Sequence, residues 1–67
     1  MITLKVNGKP RELEAELTLP ALLQHLGVDR RLVAVAHNGE VVARDRYETV
    51  CLRHGDTVEI VRMVGGG

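Results

Sequence analysis

Apolar and polar residues alternate from the start of the chain: Ile2, Leu4 and Val6 are separated by Thr3, Lys5 and Asn7. A period of two predicts a strand with one buried face. Asn7-Gly8 follows, a pair in which both residues tolerate positive φ, and predicts a two-residue hairpin turn. The return strand is expected over 9–15, with Arg11, Leu13 and Ala15 on one side. Pro10 has no N–H to give a ladder, so this strand is expected at a sheet edge. The period then changes. Leu19, Leu22, Leu23 and Leu26 fall at i, i+3, i+4 and i+7, the spacing of one apolar helix face. Thr18 is placed to cap that helix, Pro20 fits its first turn, and Gly27 fits its left-handed end. A helix of about two turns is unstable alone and must dock on the sheet.

A β-branched and small-residue run over 32–37 predicts a further strand, turned by Asn38-Gly39 into a short return over 40–43. Residues 44–48 have no clear period and read as a turn or a single helical turn. A brief strand is expected over 50–52, a turn at His54-Gly55-Asp56, and a last strand over 57–64. The order is hairpin, helix, hairpin, short piece, strand. A helix between two hairpins must cross one sheet face, which is the core. With the first and last strands parallel at the centre, this is an α+β, β-grasp (ubiquitin-like) fold. It would have a mixed sheet of four to five strands with one short helix packed across one face. A small ferredoxin-like unit is the alternative. The folded domain is expected over 1–64, with a flexible glycine tail over 65–67.

In the last strand Val58, Ile60, Arg62 and Val64 share one face, and Thr57, Glu59, Val61 and Met63 the other. If Val58 and Ile60 enter the core, Val61 and Met63 point from the open face of the sheet. Two apolar side chains there, beside the chain end, mark a docking surface. Arg62 is the basic residue expected to pair with a partner's acidic groups.

Composition narrows the function. At 67 residues the chain is one small domain with little room for a deep pocket. Nine basic and nine acidic residues cancel, so no basic field exists for nucleic acid or an anionic membrane. One aromatic residue, Tyr47, makes no base-stacking platform. The single cysteine, Cys51, forms no internal disulfide, and the N-terminus is no signal peptide, so the expected location is cytoplasmic. Cys51 is expected as a small core residue. His25, on the polar side of the helix, is expected in solvent. His37 is expected at a strand end with its ring at the core rim. With His54 and Cys51 these show no metal-ligand spacing. Arg30, Arg31, Arg44 and Arg46 read as a solvated face.

The sequence closes on Gly65-Gly66-Gly67. A glycine tail is thin and adopts backbone conformations closed to other residues, so it can thread a narrow channel into a partner's active site. Its carboxylate is unhindered but a poor electrophile. An ATP-using enzyme could convert it to an acyl-adenylate, from which a sulfur or nitrogen nucleophile displaces AMP.

Two longer stretches, together with these glycines, carry a resemblance. They are Val33-Ala34-Val35-Ala36-His37-Asn38-Gly39-Glu40-Val41-Val42-Ala43-Arg44 and Leu52-Arg53-His54-Gly55-Asp56-Thr57-Val58-Glu59-Ile60-Val61. The chain resembles, over its whole length, the ThiS family of β-grasp sulfur carriers of thiamine biosynthesis. His37, Ala43 and Tyr47 stand where that family usually has an aliphatic residue, a proline and a tryptophan. The resemblance implies a carrier rather than an enzyme, with no bound cofactor. A ThiF-type adenylating enzyme would activate the Gly67 carboxylate with ATP and Mg²⁺. A persulfide donor would supply sulfur for a thiocarboxylate, and a ThiG-type thiazole synthase would accept it. Gly65 and Gly66 would pass through the partners' channels. Sulfur transfer to molybdopterin or tRNA, conjugation as a ubiquitin-like modifier, and a plain interaction module are the alternatives.

Overall fold

The computed structural model describes residues 1–63. Strand β1 (Ile2–Val6) turns through Asn7 and Gly8 into β2 (Lys9–Leu13), antiparallel to it. Both turn residues sit at positive φ, 52° and 81°, which is the geometry that matches the twist of a tight hairpin. Pro10 lies opposite Lys5, whose N–H instead donates to Asp56 O at 3.0 Å, just before the last strand. The missing N–H of Pro10 therefore faces the outer edge, where no ladder needs it. The strand ends at Leu13, short of the expected Ala15. Leu13 opposes Ile2, the first residue of β1, so there is no partner for a longer strand.

The chain then forms a two-residue strand, β3 (Leu17–Thr18), and the helix α1 (Leu19–His25). Thr18 caps the helix by accepting from the Ala21 N–H, and Pro20 sits in the first turn, where its missing N–H costs nothing. Gly27 follows at φ +72°, and its N–H bonds Gln24 O. Seven residues are far below the roughly 12–15 at which a helix holds in water. What holds this one is burial: Leu19, Leu22 and Leu23 are within 1% of complete burial, each contributing about 1.5–3 kcal/mol.

A 3₁₀ turn (Arg30–Leu32) leads into β4 (Val33–His37), so Leu32, expected in the strand, is outside it and 53% exposed. Asp29 caps this turn, accepting from the Arg31 N–H and guanidinium, and those bonds hold its carboxyl down at about 2. Strand β5 (Glu40–Val41) is shorter than expected. A six-residue 3₁₀ segment (Arg44–Thr49) then buries Tyr47. Strand β6 (Cys51–Leu52) pairs with β3 in a separate two-stranded sheet, and β7 (Thr57–Arg62) completes the main one.

The main sheet runs β2-β1-β7-β4-β5, with β1 and β7 parallel and the other pairs antiparallel. Leu4, Val35 and Val58 from three adjacent strands meet the helix leucines, Tyr47 and Leu52 in one core. This is the mixed five-stranded sheet with one α-helix across a face that the element order predicts. The final residue of the expected last strand, Val64, lies outside the described residues.

Candidate functional site

The candidate site is the outer end of β7. This strand is central, paired with β1 at its start, over Thr57 and Val58, and with β4 along its length to Arg62, so at its outer end the β4 ladder fixes its direction. Met63 is anchored just beyond it, its N–H donating to Leu32 O at 2.8 Å. The chain toward the glycines thus continues from a hydrogen-bonded position. Gly65, Gly66 and Gly67, the predicted sulfur-bearing end and its approach, lie outside the described residues.

Alternation along β7 distributes the predicted docking residues as expected. Val58 is fully buried and Ile60 packs against the core, whereas Val61 is 61% and Met63 47% exposed. Val61 lies directly opposite Ala34, and Ala36 opposite Val41, which is 81% exposed. Ala34, Ala36, Val41 and Val61 line one shallow apolar depression on the open face of the sheet. Val41 is not among the docking residues expected from the sequence. The signal was present: a residue facing Ala36 across a tight Asn-Gly hairpin shares its face. Arg62 is exposed on the opposite face, in register with Val33.

The other end of β7 carries a polar cluster. His37 ends β4 with its ring at the core rim, and its Nε2 lies 2.8 Å from Asp56 Oδ2. The same oxygen accepts from the Arg53 N–H at 3.0 Å, closing the turn, and Asp56 Oδ1 accepts from the Asn38 side-chain amide at 3.3 Å. Partial burial opposes the charged form of Asp56, but the bonds from His37, Arg53 and Asn38 outweigh it and hold the carboxyl below its usual range. The aspartate partner of His37 is a contact the sequence reading did not foresee. His54 is also used structurally, its Nδ1 accepting the Thr3 N–H at 3.0 Å, while His25 is exposed as expected.

Two expectations are corrected. Cys51 is exposed, not in the core: in so short a strand Leu52 takes the inward position and Cys51 the outward one. Arg30 is not simply solvated. It lies 5.5 Å above the Tyr47 ring and bonds Glu48 at 3.3 Å, so it covers the one aromatic residue of the core. Arg31, Arg44 and Arg46 are exposed. Among the described residues no three His, Cys, Asp or Glu side chains converge to hold a metal ion, and no helix is long and apolar enough to cross a membrane.

The ThiS family model matches residues 4–67. The chain is 35% identical over 65 residues to the sulfur carrier protein ThiS of Bacillus subtilis (strain 168), covering 96% of this chain and 98% of that one. It is 47% identical over 64 residues to a thiazole synthase of Paramagnetospirillum magneticum, covering 96% of this chain. That match takes in 20% of the thiazole synthase, so the chain spans about a fifth of that relative's length. The crystal structure of a thiamine biosynthesis protein (ThiS) from Geobacter metallireducens superposes with a TM-score of 0.87 at 36% identity, covering 98% of this chain and 100% of that one. With the same β-grasp sheet and a family match that extends through the terminal glycines, the chain belongs to the ThiS family.

Proposed function

We propose that this chain is a sulfur carrier for thiazole formation in thiamine biosynthesis, working in the cytoplasm, and that Gly67 is the residue that carries the sulfur. The observation that bears most weight is the family match running through Gly67, together with near-complete coverage of a relative named a sulfur carrier. The carboxylate of Gly67 attacks the α-phosphate of ATP in a ThiF-type enzyme, releasing pyrophosphate and leaving an acyl-adenylate. The terminal sulfur of a persulfide then displaces AMP to give an acyl disulfide. A thiol attacks the donor's sulfur in that S–S bond, forming a new disulfide with it and releasing the thiocarboxylate, whose soft sulfur passes to a ThiG-type thiazole synthase. ATP and Mg²⁺ belong to the activating enzyme.

In this reading Gly65 and Gly66 keep the approach narrow, and Val61 and Met63 dock the sheet on a partner, with Arg62 pairing to its acidic groups. The identity of a relative as a thiazole synthase favours the thiazole acceptor over molybdopterin, tRNA or a modified protein. ATP–pyrophosphate exchange with the ThiF-type enzyme tests the activation step. The chain should support exchange, and a variant with one residue added after Gly67, or with Gly66→Trp, should not. Exchange undiminished by the extension would sink the proposal.

A further inference from the structure

The helix-side end of the sheet holds a second surface, opposite to the Val61 face. Val6, Leu26, Val28 and Ile60 are partly buried residues at the margin of the core, and together they floor an open groove between the first hairpin and the end of α1. Lys9 and Arg11 stand along its side. Register explains why two cations flank an apolar floor. Lys9 opposes Val6 and Arg11 opposes Leu4, so both basic side chains lie on the core-facing side of β2, where the short helix ends too soon to cover them. Arg62 follows Ile60 on the same face. The groove-lining residues include no acid.

The adjoining strand edge is also unfilled. Met63 N–H bonds Leu32 O and Asn38 N–H bonds Thr57 O, so the odd-numbered residues of β7 face β4. The even-numbered ones face β1, but β1 pairs only as far as Val58. Asn7 at the turn supplies a side-chain oxygen to the Ile60 N–H at 2.7 Å. Past that point no strand of the described chain lies beside the Ile60 carbonyl and the Arg62 N–H. Such an edge accepts an extended segment through backbone bonds, with alternate side chains entering neighbouring pockets.

We propose that this groove and edge bind an extended segment of a partner protein in which every second residue faces the groove and those residues include both apolar side chains and Asp or Glu. The apolar side chains sit on Val6, Leu26, Val28 and Ile60, and the carboxylates on the same side of the segment meet Lys9 and Arg11. The inference does not depend on the carrier chemistry. It gives the molecule two separate docking faces, one on each side of the strand that leads to the glycines.

The test is titration of the ¹⁵N-labelled full chain with the peptide Glu-Thr-Val-Thr-Ile-Thr-Asp, whose acids and apolar residues share one face when extended, followed by amide shifts. Shifts at Lys9, Arg11, Val28 and Arg62 are expected. The double change Lys9→Glu with Arg11→Glu, both exposed positions, should weaken binding about tenfold, the scale of two surface charge pairs turned repulsive. Added salt should weaken binding to the unaltered chain, and a peptide with lysine in place of its acids should not bind. The proposal is overturned by no shift at millimolar peptide, by shifts confined to Val41, Val61 and Met63, or by equal binding of the lysine peptide. It is also overturned if removing residues 64–67 alone moves the groove amides, since the occupant is then the chain's own end.

Discussion

Asn7 ties the first turn of the protein to its last strand: its side-chain oxygen accepts the Ile60 N–H at 2.7 Å across 53 positions of sequence. Its own N–H donates to Val58 O at 2.9 Å, and its backbone sits at φ 52°. One residue therefore shapes the hairpin and extends the central parallel pairing by one bond. Asn7→Gly keeps the turn but loses the side-chain bond and should cost about 1 kcal/mol. Asn7→Ala adds a left-handed backbone penalty of about 1–2 kcal/mol. Urea unfolding of the two variants should rank them in that order.

Tyr47 is 1% exposed and its hydroxyl donates to Val33 O at 3.4 Å, a long bond. Most of its contribution is therefore ring burial. Tyr47→Phe should cost less than about 1 kcal/mol, and Tyr47→Ala about 3–5 kcal/mol. A domain this small has only a few kcal/mol of core stability, so the alanine variant should be largely unfolded at room temperature by circular dichroism.

Asp56 makes the fold sensitive to acid. Its carboxyl is held below the usual range by His37, Arg53 and Asn38, so near pH 4 the unfolded chain binds more protons than the folded one. The stabilisation is complete above the ordinary carboxylate range and is lost as pH falls through the lower folded-state value. Asp56→Asn should remove this component and cost about 1.5–3 kcal/mol at neutral pH, the scale of hydrogen bonds to a charged group. Denaturant midpoints measured from pH 7 to pH 3 should fall less steeply for the variant.

Val61 is exposed beside Ala34, and nothing in the core depends on it. Val61→Asp should leave stability within about 0.5 kcal/mol of the parent. Affinity for a ThiG-type thiazole synthase should fall at least tenfold when a charge is placed in an apolar contact. Calorimetric titration checks it, and unchanged affinity would remove Val61 from the docking face.

The strand and helix periods were legible because each element has one buried face: Ile2 and Leu4 on β1, and Leu19, Leu22 and Leu23 on α1. Turn chemistry was equally readable at Asn7-Gly8 and Asn38-Gly39. Strand lengths were not, because they depend on partners. β2 stops where β1 begins, and β5 ends after Val41, shortly before the chain turns into the 3₁₀ segment at Arg44. Cys51 was misread because β3 and β6 form a separate two-residue ladder whose faces no local period reveals. The His37–Asp56 contact joins β4 to the turn before β7, and only tertiary pairing brings those residues together. The glycine end was found from chemistry rather than period, since glycines have no face to alternate.

The central claim is that Gly67 becomes a thiocarboxylate. Intact-mass analysis of the chain, after incubation with a ThiF-type enzyme, ATP, Mg²⁺ and a persulfide donor, tests it most directly. The account predicts a mass gain equal to sulfur replacing one oxygen, located at Gly67 by fragmentation and absent without ATP. An unchanged mass in the presence of an enzyme that thiolates another ThiS protein under the same conditions would contradict it.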